Sequence, residues 1–393
     1  MSEGTVTASN PRPLEEFEFR GGPRLVVGPG SLGRLGALAR ELGAGRALVT
    51  SDPGIVDAGH AAAGIEALED AGLATRLFSG FGENPSSEQI EAGAAVAREF
   101  RPDLLVGLGG GSSMDCAKGI NFLFSCGGRM QDYKGRGTAR GPMLPSIGVP
   151  TTAGTGSETQ SFALVTDVET GMKMACGDPR AAFRVAILDV NLTLTQPLSL
   201  AALTGIDAVS HAVESHVSRA ATPASRVFSR EAWRLLARHL PAVLADGGSI
   251  PDRAAVQLGA AWAGLAIENA MLGAAHALAN PLTAAHGVVH GQAVGMMLPH
   301  VVRFNGPACG GRYAELLAEI GVVATPSGAA DHLAAWLADV LAAARLPASL
   351  AAAGIAAADV SALAAGAATQ WTGGFNPRPV SVADLAALYE AAR

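Results

Sequence analysis

Apolar positions along this chain follow two rhythms, and the change between them comes near Pro197. Before it, short apolar runs alternate with stretches of helical spacing. RLVVG (24–28) and RALVTSD (46–52) read as strands, and SLGRLGALAREL between them is apolar at helical intervals. Helical spacing returns at GIEALEDAG and at SSEQIEAGAAVAREF. DLLVGLGGGS reads as a strand running into a glycine-rich turn, and MDCAKGINFLF as the helix that follows. PSIGVPTTAGTGSE adds a strand and a turn, and RVAILDV another strand. Alternation of this kind predicts a parallel sheet with helices on both faces. Beyond Pro197 strand signals nearly vanish. Ala/Leu-rich segments of helical period follow, broken by Gly and Pro near 247–251, 305–311 and 324–327. The expected architecture is an α/β domain over 1–195 and an all-helical domain over 196–393. No internal repeat stands out, and the Ala-rich stretch at 349–369 suits a helix bundle. The first ~12 residues are polar and Pro-containing and are expected to fray.

Composition narrows the function classes. A chain of 393 residues, 49% hydrophobic, can bury two ordinary cores. Aromatics are only 5% while Ala and Gly dominate, so the core is expected to use small side chains and close helix contacts. A net charge of -7 argues against a nucleic-acid partner. The four cysteines form no CxxC pair, which points to a reducing, cytoplasmic setting rather than a disulfide framework. The start, MSEGTVTASNPRPLEEFEF, lacks the apolar run of a signal peptide. Apolar stretches around 255–280 carry Glu268, His276 and Asn280, so they read as buried helices, not membrane spans.

Three motifs could carry chemistry. Gly109, Gly110, Gly111 and Ser112 follow an apolar strand and precede a helix. Glycine there lets a backbone approach a phosphate, and the helix start offers free N–H groups. A plain βα turn would look the same, but ligands of open α/β sheets bind at this end of a strand. PTTAGTGSE (150–158) mixes hydroxyls with glycines and could bond ribose, pyrophosphate or a carboxamide; a solvent-facing loop with local Ser/Thr turns is the alternative. Asp52 ends the second strand, where a carboxylate could hold a ribose diol and repel a 2′-phosphate, or simply cap a helix.

Asp207 and His211 stand four apart in GIDAVSHAVESH and share a helix face, while His276 and His290 stand fourteen apart in AAHALANPLTAAHGVVHG. One carboxylate and three imidazoles can hold Fe²⁺, Zn²⁺ or Mn²⁺. Each taken alone could equally be a satisfied buried residue, and His216, His286 and His300 are further candidates by simple counting. A metal set downstream of a phosphate-binding turn suggests metal-assisted hydride transfer.

Taken together, GGGSSMDCAK, PTTAGTGSE, GIDAVSHAVE and the histidine pair ending in HG closely resemble the iron-containing (group III) alcohol dehydrogenase family, over most of the chain. The resemblance implies a dinucleotide-binding α/β domain, a helical metal-binding domain, Fe²⁺ (with Zn²⁺ as the alternative), NAD(H) and a homodimer paired through its N-terminal domains. By position it makes Asp207, His211, His276 and His290 the metal ligands. It assigns Asp52, Asn84, Gly110, Gly111, Ser112, Asp115, Thr151, Thr152, Thr155, Leu164 and Lys173 to the cofactor, with Leu192 and Gln196 in the segment that closes over it. It puts His276, His290 and position 280 at the reacting centre. Position 280 departs from the family: a relay histidine is common there, and this chain has Asn280, which cannot move a proton by changing its protonation state. His286 stands where an aromatic residue is frequent. The activity implied is reversible oxidation of a small primary alcohol to an aldehyde, the metal acting as Lewis acid. Phosphonoacetaldehyde reductases belong to a similar branch, and they would call for an anion-binding residue that the metal motifs do not contain. A metal- and NAD-dependent lyase of the dehydroquinate synthase type, or a non-catalytic NAD-binding protein, would share parts of this pattern.

Overall fold

The computed structural model describes residues 16–393, so the fraying expected of the first residues lies outside it. The described residues form nine strands and thirteen α-helices. The strands are β1 (Arg24–Val27), β2 (Arg46–Thr50), β3 (Ala74–Phe78), β4 (Leu104–Gly109), β5 (Gly135–Arg136), β6 (Ser146–Pro150), β7 (Phe162–Thr166), β8 (Lys173–Gly177) and β9 (Val185–Leu188). Between them lie α1 (Leu35–Glu41), α2 (Pro53–Asp57), α3 (His60–Asp70), α4 (Ser87–Phe100) and α5 (Gly111–Cys126). The remainder is helical: α6 (Leu198–Val217), α7 (Pro223–Asp246), α8 (Ile250–Ala270), α9 (Ala274–His286), α10 (His290–Glu319), α11 (Ala329–Ala343), α12 (Val360–Ala368) and α13 (Val382–Ala391).

Six strands make one parallel sheet in the order β1-β9-β6-β4-β2-β3. Its central strand β4 is buried at every residue, which is why LLVGLG is an unbroken apolar run. From β2 the chain winds outward to β3, then returns past β2 to β4, β6 and β9. The winding reverses between β2 and β4, and open sheets of this kind bind ligands beyond the C-terminal ends of the strands at such a point. Two features escaped the sequence reading. Strand β3 lies at the sheet edge with alternating exposure and polar Thr75 and Arg76, so it has no apolar run to announce it. A second sheet, β5-β8-β7, pairs β7 antiparallel to β8 and β5 parallel to it.

Helix starts in the second region follow capping chemistry. Thr222 and Ser225 form a capping box at α7, Ser249 and Asp252 at α8, and Ser381 and Asp384 at α13. The core between these helices is rich in alanine and centres on fully buried Trp233, whose indole N–H donates to Leu316 O at 2.6 Å and whose ring meets Trp336 edge-on at 4.7 Å. The break expected near 305–311 is instead a kink: α10 runs through it with only Cys309 out of helical geometry, two residues after Pro307. Of the Ala-rich stretch, α12 alone is a full helix. Among the described residues no helix is long and apolar enough to cross a membrane, and all four cysteines are free.

Glycines in PTTAGTGSE serve the contact between the two regions. A Cβ on Gly154 would stand 2.4 Å from Thr204 Cβ on α6, and one on Gly156 would stand 2.6 Å from Gly264 Cα on α8. The loop backbone therefore lies directly on two helices of the second region, which only glycine permits.

Candidate metal and cofactor site

Three helices bring the metal candidates together. Asp207 and His211 lie one turn apart on α6, His276 sits in the first turn of α9, and His290 is the first residue of α10. Asp207 Oδ1 is 3.2 Å from His211 Nε2, 3.5 Å from His276 Nε2 and 3.8 Å from His290 Nε2. Asp207, His276 and His290 each present a ligand atom within 4.8 Å of the others'. The other histidines are elsewhere: His216 bonds Ser229 and faces Glu315, and His286 lies 3.8 Å from Asp359.

Buried Asp207 Oδ1 and His276 Nε2 have no hydrogen-bond partner. Leaving such atoms unmatched costs about 1–3 kcal/mol each, and a divalent cation among them would remove that cost. The donor set suits a borderline ion such as Fe²⁺ or Zn²⁺. Three of the four groups are already in the state a cation needs, and His276 would have to give up a proton to bind it. Burial lowers His211 to about 4 and His290 to about 3 against the pull of Asp207, so both rings are neutral with lone pairs to offer. Burial works against the Asp207 carboxylate, but the surrounding imidazoles hold it below the usual carboxylate range. Burial would also lower His276, yet Asp207 and Glu214 together raise it to about 9. The His290 side chain is 31% exposed while the other three are at most 8% exposed, so the cluster opens to solvent on the His290 side alone.

Glu214 was missed in the sequence. Its Oε2 takes the His276 Nδ1 proton at 2.5 Å, and its Oε1 accepts from Ala275 N at 2.7 Å. A buried carboxylate behind a ligating histidine fixes the ring and turns its other nitrogen outward. Gly273 makes room for it, since a Cβ there would stand 2.9 Å from Glu214 Oε1. The signal was available: Glu214 follows His211 by three residues and Asp207 by seven, on one face of α6.

The cofactor candidates gather beyond the C-terminal ends of β2 and β4. Gly110 is the N-cap of α5 and Gly111 its first residue, where a Cβ would stand 2.8 Å from Thr155 Cγ2. Asp52 caps α2 through Ile55 N and accepts from Ser113 Oγ at 3.1 Å, which joins the ends of β2 and β4. Ser112 Oγ accepts from Asn84 N at 3.1 Å, and Asn84 adopts φ 54. Asp115 is buried and accepts from Ser157 Oγ at 3.0 Å; burial raises its pKa. Thr151 N donates to Gly109 O at 2.9 Å, and Thr152 lies beside Gly110. Leu164 is exposed on β7, and Lys173 begins β8 opposite Thr166. Lys173 reaches solvent yet has protein on most sides: desolvation lowers its pKa, opposed by Asp115 and then Asp207. A cation thus stands within electrostatic range of the metal candidates, which the motifs alone did not reveal. Leu192 packs into the core of the large sheet, so its side chain supports the covering segment from beneath. Gln196 donates to Thr204 at 3.2 Å, and Thr195 meets His60 at 2.7 Å.

Two buried side chains hold the segment from Ser157 to Phe162. Lys118 spends its ammonium on Ser157 O, Ser157 Oγ and Phe162 O at 2.6, 2.9 and 2.8 Å. Glu268 on α8 takes Ser161 N at 2.9 Å, Ser161 Oγ at 2.7 Å and Arg136 Nη2 at 3.2 Å, all from the α/β region. Phe162 is held between them, with its ring 5.9 Å from that of Trp371. Asn280, one turn beyond His276 on α9, donates to Gln370 Oε1 at 2.9 Å.

Comparison with known proteins decides the family. Residues 22–190 match the description iron-containing alcohol dehydrogenase, and residues 201–393 match its C-terminal part. The chain belongs to the iron-containing alcohol dehydrogenase family. Relatives include the NAD-dependent methanol dehydrogenase of Bacillus methanolicus, 33% identical over 94% of this chain and 98% of that protein. Lactaldehyde reductase of Escherichia coli is 30% identical over 93% of this chain and 96% of its own. The crystal structure of a 1,3-propanediol oxidoreductase superposes with a TM-score of 0.93 at 31% identity, covering 96% of this chain and all (100%) of that one. The α/β region with its parallel sheet and the helical region that follows are the family's fold, and the chain is accordingly an alcohol dehydrogenase.

Proposed function

We propose that this dehydrogenase interconverts a small primary alcohol and its aldehyde with NAD(H), using iron held by Asp207, His211, His276 and His290. The observation that carries this reading is the cluster of unmatched, buried donor atoms on Asp207 and His276, which opens only past His290. When bound, the metal supplies Lewis acidity at the substrate oxygen. The protein supplies position. Glu214 turns His276 so that Nε2 faces Asp207. The start of α5 at Gly110, Gly111 and Ser112 offers backbone N–H groups to a pyrophosphate. Thr151, Thr152 and Thr155 face that turn, Leu164 and Lys173 flank the nicotinamide end, and Asp52 meets the adenosine ribose. Contact between PTTAGTGSE and helices α6 and α8 keeps water from the hydride path. Asn280 cannot relay a proton, so proton release goes to solvent through a water or a ribose hydroxyl on the open side. The methanol dehydrogenase and lactaldehyde reductase among its relatives support a short substrate. A cytoplasmic homodimer goes with the reading, on cysteine usage and family resemblance.

The test is reconstitution of metal-depleted protein with Fe²⁺ or Zn²⁺, following NADH against a panel of short alcohols and aldehydes. Metal-dependent NADH turnover is expected, and His276→Ala should lose metal and turnover while melting as a folded protein. Metal and NAD binding without any net NADH change would transfer the assignment to a lyase that uses NAD transiently.

A further inference from the structure

Helix α9 carries His276 in its first turn but has no side chain of its own to cap that turn, since its N-cap is Gly273. Two of the N–H groups left free at such a start are taken by side chains from far along the chain. Ala275 N donates to Glu214 Oε1 at 2.7 Å, and Ala274 N donates to Asn376 Oδ1 at 3.3 Å. A Cβ on Gly273 would stand 2.9 Å from the first acceptor and 3.1 Å from the second, so both lie directly against this turn. Asn376 is buried and exchanges two hydrogen bonds with buried Asn305, at 3.0 and 2.8 Å. Its Nδ2 also donates to Arg378 O at 2.6 Å. Asn305 lies on α10, the helix that begins with His290. Next to Asn376, Phe375 O accepts from Arg219 N at 2.9 Å, just past the end of α6. Arg378 Nη1 donates to Phe304 O on α10 at 3.0 Å, and its guanidinium lies 3.9 Å from the centre of the Phe304 ring. FNPR (375–378) therefore ties together the three helices that carry Asp207, His211, His276 and His290.

We infer that Asn376 is a positioning residue for the metal site: it fixes the start of α9, and with it His276, against α6 and α10. The task calls for an amide. Its oxygen accepts from Ala274 N while its NH₂ donates to Asn305 Oδ1 and Arg378 O; a carboxylate has no NH₂ to donate, and a hydrocarbon has neither group. Leucine would fill nearly the same space. The gap lined by Glu214, Gly273, Asn305, Tyr313 and Asn376 is too small for a water to replace the lost bonds. The Ala274 N–H would be left unpaired beside Glu214, and the first turn of α9 would shift to relieve it. Metal ligands must sit within about 0.2 Å of their preferred distances, so even a small displacement of His276 weakens the site. The inference rests on the metal assignment above and extends it to the C-terminal segment, which acts through a backbone N–H and not through contact with the ion.

The experiment measures competition for Zn²⁺ against a chromophoric chelator, and the visible spectrum of the Co²⁺-loaded protein, whose bands report ligand geometry. It compares wild type with Asn376→Leu, Asn305→Leu and Tyr389→Phe, and melts each metal-free protein. Tyr389→Phe is the control: it removes the buried bond from Tyr389 Oη to Leu278 O at 2.6 Å, on the same α9 but beyond its first turn. Asn376→Leu should weaken Zn²⁺ binding by about 10-fold, the lower end for outer partners of metal ligands, and should shift the Co²⁺ bands. Asn305→Leu frees Asn376 from α10 without touching α9. It should move both readouts the same way, and it answers if Asn376→Leu fails to fold. Tyr389→Phe should lower the melting temperature while keeping the Co²⁺ spectrum and a Zn²⁺ affinity within about threefold of wild type. Unchanged Co²⁺ bands with Zn²⁺ affinity within about threefold of wild type in folded Asn376→Leu, or in folded Asn305→Leu should the first not fold, would overturn the inference. So would an equal loss of affinity in Tyr389→Phe. A wild type that takes up neither ion would instead overturn the metal assignment on which it rests.

Discussion

Glu214→Gln should weaken metal binding without unfolding the protein. The native carboxylate accepts two hydrogen bonds on different oxygens, from His276 Nδ1 at 2.5 Å and Ala275 N at 2.7 Å. Glutamine has one oxygen and one NH₂ in the same space. Whichever way the amide turns, a donor meets a donor at one of the two positions. If the oxygen stays with Ala275, His276 loses its acceptor and its ring is free to turn. If it stays with His276, the first turn of α9 carries a buried unpaired N–H, which costs about 1–3 kcal/mol. Loss of the negative charge also removes one of the two groups that raise His276 to about 9. Outer carboxylates of this kind typically contribute 10–100-fold to metal affinity, and about 1.4–2.7 kcal/mol is the equivalent free energy. The assay is competition for Zn²⁺ against a chromophoric chelator, with thermal melts of the metal-free proteins beside it. A variant that melts as a folded protein and binds Zn²⁺ within about threefold of wild type would refute the role given to Glu214.

Asp52→Gly should raise the kcat/KM for NADP⁺ relative to NAD⁺, and should also cost roughly a few tenths of a kcal/mol by removing the α2 cap; a melt shift with unchanged cofactor preference would make the residue purely structural. Lys118→Met should destabilise by several kcal/mol, because it removes three hydrogen bonds from one buried ammonium, to Ser157 O, Ser157 Oγ and Phe162 O. Denaturant titration measures it, and a loss below about 1 kcal/mol would contradict the clamp. Buried Glu158 titrates at about 7 because desolvation outweighs its own backbone hydrogen bond and Lys118. Its folded pKa lies above the unfolded 4.5, so its contribution is complete below pH 4.5 and is lost as pH rises through about 7. Glu158→Gln should therefore match wild type near pH 5 and exceed it by about 1–3 kcal/mol at pH 8. Parallel stability curves would refute that.

What could be read in advance follows from how each element is buried. Strands β2, β4, β6 and β9 are apolar on both faces, and such runs stand out in any sequence. Strand β3 at the sheet edge and the short strands of the small sheet do not, since five residues or fewer carry too few alternations to separate from loop. Asp207, His211, His276 and His290 were legible because metal ligands must be of few residue types. Glu268 and Gln370 were not, because their partners lie 107 and 90 residues away and no local pattern encodes such a contact, whereas Glu214 shares the helix face of Asp207 and His211 but its partner lies 61 residues away. The glycines of PTTAGTGSE were noticed for cofactor binding, while Gly154 and Gly156 have a steric task against α6 and α8 that only the packed structure reveals.

The carboxylate of Glu268 also limits how the molecule can breathe. It gathers Ser161 N, Ser161 Oγ and Arg136 Nη2 from the α/β region onto α8 at one buried point. Hydrogen bonds to a charged group are worth about 1.5–3 kcal/mol each, so pulling the regions straight apart there is steeply opposed. Glu268 is thus a rivet: separating α8 from the α/β region at Ser161 breaks three hydrogen bonds to one buried carboxylate at once.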